Sequence, residues 1–200
     1  MPENKLHITD SAELARMEEK ISKKKAVALF ESGYLHTLEA GTLDSLFKIH
    51  QYLFEEIYSF AGKVRNVNIA KGNFRFASVM YLHGALEQIE KMPQRTFDEI
   101  VEKYVEMDIA HPFREGNGRS IRIWLDLILS KELNVVVDWS KIDKDDYLLA
   151  MERSPIKDTE IKYLLKGALT AETNDRKVYM KGIDHSYYYE GYMTYKAEEL

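Results

Sequence analysis

The sequence predicts an all-α fold, a helical bundle around one central apolar helix with a single β-hairpin at its side. Apolar residues recur every three or four positions through most of the chain, the period of a helix with one buried face. Gly, Pro and Asn punctuate these stretches, and only one segment changes to the two-residue period of a strand. With 200 residues, 45% of them hydrophobic and 30% charged, one packed core is affordable and one domain is expected over residues 1–200.

The elements follow in order. Asp10 or Ser11 caps a first helix that runs to about Glu31, where Gly33 supplies a left-handed stop. Lys23, Lys24 and Lys25 on this helix are expected to form a solvated face. A second helix is expected over 42–61, with Leu43, Leu46, Phe47, His50, Phe54 and Ile57 on one stripe. His50 within that stripe reads as a hydrogen-bonded packing residue rather than a ligand.

Residues 64–69 then alternate apolar and polar, 71–73 form a turn, and 74–77 alternate again, which predicts the hairpin. Its open edge can pair with an extended segment of another chain, or the hairpin can simply cap the core; the pattern leaves both open. Further helices are expected at 79–91, 97–110, 119–133, 144–153 and 158–169. The one over 119–133 is apolar on most faces and should be central. A polar segment over 170–177 leads to a tyrosine-dense tail at 182–192, read as a short helix capped by Asp184 or Ser186, with Glu190 in its last turn.

Composition removes several function classes. A formal net charge of −5 argues against broad binding to nucleic acid or an anionic membrane. The absence of cysteine excludes disulfides, thiolate metal sites and a cysteine nucleophile. The N-terminal residues lack the apolar core of a signal peptide. The most apolar run, 121–129, contains Asp126 and falls far short of the ~20 residues a spanning helix needs. The expectation is a soluble cytoplasmic protein.

Chemistry concentrates in His111-Pro112-Phe113-Arg114-Glu115-Gly116-Asn117-Gly118-Arg119-Ser120-Ile121-Arg122. Gly116 and Gly118 let an anion approach backbone N–H groups at a helix start, and Asn117 between them can add a side-chain donor. Arg119 and Arg122 lie three apart on one helical face and can grip two phosphates. Glu115 is a hard oxygen ligand suited to Mg²⁺ that bridges phosphates. His111, with an ordinary pKa near 6.5, can accept the proton of an attacking hydroxyl. Together they suggest in-line attack of a hydroxyl on a nucleotide phosphate. Walker, kinase and HExxH patterns are absent.

The stretch HPFREGNGRSIR resembles the HxFx[D/E]GNGRxxR motif of Fic-domain proteins at every fixed position. The resemblance implies the Fic fold and a nucleotidyltransferase that moves AMP from ATP to a Tyr, Thr or Ser hydroxyl of a target protein. It implies His111 as general base, with Asn117, Arg119 and Arg122 completing the catalytic set. Gly116, Asn117 and Gly118 would form the anion hole, Arg119 would sit on the phosphates, Arg122 on the γ-phosphate, and Glu115 would hold Mg²⁺ or another divalent cation. Phe113 would bury its ring to fix the loop. Ile69, Lys71, Gly72, Asn73 and Phe74 resemble the family's target-docking flap.

The tail S-Y-Y-Y-E-G at 186–191 is similar to the family's inhibitory motif, and its placement resembles the single-domain bacterial subclass with a C-terminal autoinhibitory helix. Ser186 and Glu190 would then hold Arg122 away from ATP. Tyr187 and Tyr192 are candidate self-modification sites, and removal of AMP is a second activity that the resemblance allows. It also suggests a type II topoisomerase subunit as target, and leaves room for a homo-oligomer. The alternative from another class is a toxin-antitoxin-like regulatory module that binds nucleotide with little catalysis; the intact His111 speaks against it.

Overall fold

Several helices start where a side chain takes N–H groups that an α-helix leaves unpaired. In the computed structural model, which describes residues 2–71 and 74–200 without the side chains of Lys71 and Phe74, Asp10 accepts from Glu13 N at 2.7 Å and opens α1 (Ser11–Glu31). A single turn, α2 (Tyr34–Thr37), precedes α3 (Leu43–Phe54), which Thr42 caps at Ser45 N. The hairpin β1 (Ala70–Lys71) and β2 (Phe74–Arg75) leads to α4 (Val79–Lys91). Thr96 and Glu99 form a reciprocal capping box on α5 (Phe97–Ala110).

Then come the central α6 (Asn117–Leu133), β3 (Val136–Val137), α7 (Lys144–Arg153), α8 (Thr159–Gly167), β4 (Leu169–Thr170) and α9 (Arg176–Tyr189). The expected helical bundle with its hairpin is the architecture found. Ile121, Trp124, Leu125, Ile128 and Leu129 of α6 are fully buried, and α5, α3 and α9 pack around them. Trp124 Nε1 donates to Thr42 O and Ser45 Oγ, each at 3.1 Å, so even the polar edge of the largest core side chain is paired.

Several expectations need correction. The second helix stops at Phe54 instead of near 61, and the chain turns so that Ile57 and Tyr58 are buried outside it. A second strand pair exists, with Val136 opposite Thr170 and Val137 opposite Leu169. It joins segments more than thirty positions apart, and two-residue strands carry no legible period. Among the described residues the hairpin ladder pairs Ala70 with Arg75 and Lys71 with Phe74. Beyond one bond from Phe76 N to Ile69 O, residues 64–68 do not extend it, because the Arg65 guanidinium takes Val67 O and Ala77 O, carbonyls that a longer ladder could have used.

The tail helix begins at Arg176, not near 182. Its N-cap is Asp175, accepting from Val178 N at 2.9 Å, inside the stretch read as a linker. Asp184 and Ser186 therefore lie within the helix and do other work. Lys23 is also not solvated: it is 1% exposed, paired with Glu19 and Asp184, and bonded to Tyr195 O, because the chain beyond α9 packs over α1. No helix among the described residues is long and apolar enough to cross a membrane.

Candidate active site

The turn that carries His111 is set by the end of α5. His111 is its C-cap in the left-handed region, φ 50°, a costly conformation for a residue with a side chain. Its Nδ1 lies 3.0 Å from Asp108 O, an acceptor, so Nδ1 carries the proton and Nε2 is the basic nitrogen. The ring stacks on Phe76 at 3.6 Å with 17° between planes.

The loop that follows is locked from beneath. Phe113 is fully buried and stacks on His50 at 3.7 Å, as its expected anchoring role requires. Asn117 accepts from Phe113 N at 2.8 Å and donates to Phe113 O at 2.7 Å, so its side-chain amide fixes the loop and is not presented to a ligand. His50 is buried, and its packing role holds. Gly62 N donates to Nδ1 at 2.8 Å, which makes Nε2 the donor to Glu115 O, also at 2.8 Å. Burial pushes the His50 imidazole down to about 3, so the ring is neutral.

Gly116 is the N-cap of α6, with φ 80°, and offers no side-chain cap. A β-carbon at Gly116 would collide with the Phe54 ring, and one at Gly118 with the Glu190 carboxylate and Arg122 Nη1. The first turn of α6 thus stays narrow and uncapped. It lines a cleft of about 790 Å³ together with His111, Glu115, Arg119, Arg122, Ile69, Phe76 and α7 residues such as Tyr147 and Met151.

Glu115 Oε1 accepts from Gly116 N at 3.0 Å and Arg119 Nη2 at 3.2 Å. Burial raises its pKa, and the Arg119 charge opposes that rise. Arg119 is 1% exposed and sits among the rings of Phe54, Tyr187 and Tyr192, with Nη1 2.6 Å from Glu18 Oε1. It reaches the cleft through its bond to Glu115. Glu18 also accepts from the hydroxyls of Tyr58 and Tyr192. No sequence pattern marked Glu18, since its partners come from three other parts of the chain.

Arg122 is held by α9. Nε donates to Ser186 Oγ at 2.7 Å, Nη2 to Ser186 O at 2.9 Å and to Glu190 Oε1 at 2.8 Å, and Nη1 to Tyr147 OH at 3.1 Å. Burial alone would lower its pKa, but Tyr147 and Glu190 raise it overall, so the guanidinium stays charged. Tyr147 shares a 2.6 Å hydrogen bond with Tyr104. No sequence pattern marks Tyr147 as a partner of Arg122, since the two lie on different helices. Tyr187 is fully buried, with its OH on Ser22 Oγ. Of the expected flap residues, Ile69 lines the cleft; Gly72, Asn73 and the side chains of Lys71 and Phe74 lie outside the described residues.

Comparison with known proteins points to one family. Residues 40–129 match the Fic/DOC family. Protein adenylyltransferase VbhT of Bartonella schoenbuchensis is 32% identical over 88% of this chain, which spans 38% of VbhT's length. A probable protein adenylyltransferase of Sinorhizobium fredii is 27% identical over 76% of this chain and 81% of its own. BepC of Bartonella tribocorum, solved with bound AMPPNP, shares the fold at 20% identity and TM-score 0.67, covering 84% of this chain and 91% of BepC.

Proposed function

This chain is a Fic-domain protein, and on that premise we propose that it transfers AMP from ATP to a hydroxyl of a target protein and is held inactive by its own tail. The observation that carries the reading is the convergence of His111, the uncapped start of α6 and Arg122 on one cleft. His111 Nε2 takes the hydroxyl proton as the oxygen bonds to the α-phosphorus; the bond from that phosphorus to the bridging oxygen breaks, and pyrophosphate leaves with the electron pair. The N–H groups at the start of α6 receive the charge that develops on the phosphate oxygens.

Among the described residues no cluster of three metal-ligating side chains exists. Mg²⁺ does not need one, because it keeps several waters and binds substrate phosphates through one or two carboxylates. Glu115 suits that role: its contacts to Gly116 and Arg119 fall on Oε1, its side chain is 42% exposed, and Oε2 is left for the cation. When bound, the ion would neutralise charge on the bridged phosphates.

Glu190 competes for Arg122, the guanidinium that a γ-phosphate would otherwise engage, and Ser186 completes the closed arrangement. The hairpin beside the cleft would add the target's extended chain as a further strand and present its hydroxyl to His111. Tyr192 lines the cleft and Tyr187 is covered, so self-modification at Tyr187 requires release of the tail. Glu190 also stands against Gly118 beside the phosphate site, which favours a second reading in which it positions water for removal of AMP.

Incubation of a bacterial lysate with α-labelled ATP tests the proposal. The Glu190→Gly variant should label protein bands and Glu190→Gly combined with His111→Ala should not; equal labelling by both would refute the role of His111. For the second reading, wild type should strip label from a pre-modified target and the Glu190 variant should not. Loss of label with both proteins would exclude Glu190 from that step.

A further inference from the structure

Arg65 lies between α3 and β1, is 3% exposed, and spends its donors on neutral carbonyls. Its backbone N–H reaches Pro112 O at 2.8 Å, Nε reaches His111 O at 2.7 Å, and Nη2 reaches Ala110 O at 3.1 Å. These acceptors are consecutive residues of the turn that carries the base. Nη1 reaches Val67 O at 2.7 Å, and Nη2 also takes Ala77 O, so the remaining acceptors stand on either side of the hairpin.

The placement has a physical logic. The last carbonyls of a helix lack intrahelical partners and carry partial negative charge. A planar guanidinium with five donors can satisfy several of them at once, and being charged it also favours the helix C-terminus. Burial without a carboxylate depresses the Arg65 pKa, a cost offset by these carbonyls. Two further contacts cross the same seam: Ala77 N donates to Ile109 O at 3.2 Å, and Phe76 stacks on the His111 ring.

We infer that Arg65 is a positioning residue that joins the hairpin to the His111 turn, so that a chain laid on the hairpin meets the base at a fixed distance. The inference rests on the adenylyl-transfer reading and adds the coupling between target docking and proton transfer. An ammonium keeps the charge but cannot reproduce the fork that reaches both the turn and the hairpin. A displacement of 1 Å at reacting atoms can cost about 100-fold in rate.

The test uses Glu190→Gly as parent, with Arg65→Lys added, and follows label transfer from α-labelled ATP to lysate proteins as ATP is varied. Binding of AMPPNP is measured by calorimetry on the same samples. The expected result is a maximal rate lower by about 100-fold, with the apparent KM for ATP and the AMPPNP affinity unchanged. Transfer at the parent rate would overturn the inference, and so would a rate loss matched by an equal loss of AMPPNP affinity. Absence of transfer in the parent would overturn the reading beneath it and the inference with it. Should Arg65→Lys fail to fold, amide exchange in the parent decides: Arg65 N, Ala77 N and His111 N should open together at one free energy, and independent opening overturns the joint.

Discussion

Replacing Glu190 with glycine perturbs one contact whose worth can be bounded. Arg122 is 3% exposed and Glu190 23%, and their atoms approach to 2.8 Å. Removing one partner of a fully buried pair costs ~3–5 kcal/mol. The partial exposure of Glu190 admits solvent screening and lowers this to roughly 2–3 kcal/mol. Ser186 Oγ, Ser186 O and Tyr147 OH still bind Arg122 in the variant, so the tail helix stays docked and the loss falls on the competition with phosphate. At 1.4 kcal/mol per tenfold, the bias corresponds to about 30- to 150-fold in the competent population. Initial rates of label transfer from α-labelled ATP, at equal enzyme, should rise by that factor, with Glu190→Gln intermediate because it keeps an oxygen for Arg122. No rise in Glu190→Gly, or an equal rise in Ser186→Ala, would refute the assignment of the block to the carboxylate.

Two other predictions concern the scaffold. Tyr192→Phe deletes the hydroxyl that bonds Glu18 at 2.9 Å, one of several attachments of the tail to α1 and the one beside Arg119. A hydrogen bond to a charged group contributes ~1.5–3 kcal/mol, so basal transfer should rise about tenfold; an unchanged rate would show that Tyr192 does not restrain the tail. His50 makes a pH-dependent contribution to stability. Its folded pKa is depressed to about 3 from 6.5, so its stabilising contribution is present above pH 6.5 and is lost as pH falls towards 3. Between pH 7 and pH 5 the unfolded chain gains a proton that folded His50 refuses, a loss of about 2 kcal/mol. Asp126, pushed up to about 7 by burial, gains stability over the same window in both proteins, so urea denaturation should show the advantage of wild type over His50→Gln shrinking by about 2 kcal/mol from pH 7 to pH 5; an unchanged difference would contradict a neutral His50.

What was legible depended on how local the cause is. The 111–122 motif could be read because its chemistry is contiguous, α5 and α7 because capping residues stand next to their apolar stripes in sequence, and α4 because its stripe runs up to Pro93. His50 was legible as packing from the stripe of α3 alone. Residues with partners far along the chain misled. Arg65 looked like an outward strand position, yet its acceptors extend to Pro112. Lys23 looked solvated until Asp184 and Tyr195 covered it. Asn117 looked like a ligand donor because it stands between two glycines expected to admit an anion, whereas its amide closes on Phe113 four residues back. The start of α9 was hidden because 170–177 is polar, and only the docking of the helix on α1 and α6 shows why Asp175 begins one.

Whether Glu190 acts through Arg122 is decided by a double-mutant cycle. Label transfer from α-labelled ATP is measured for wild type, Glu190→Gly, Arg122→Ala and the combination. The account predicts strong coupling, with the gain from Glu190→Gly disappearing once Arg122 is alanine. A gain of equal factor in the Arg122→Ala background would contradict it.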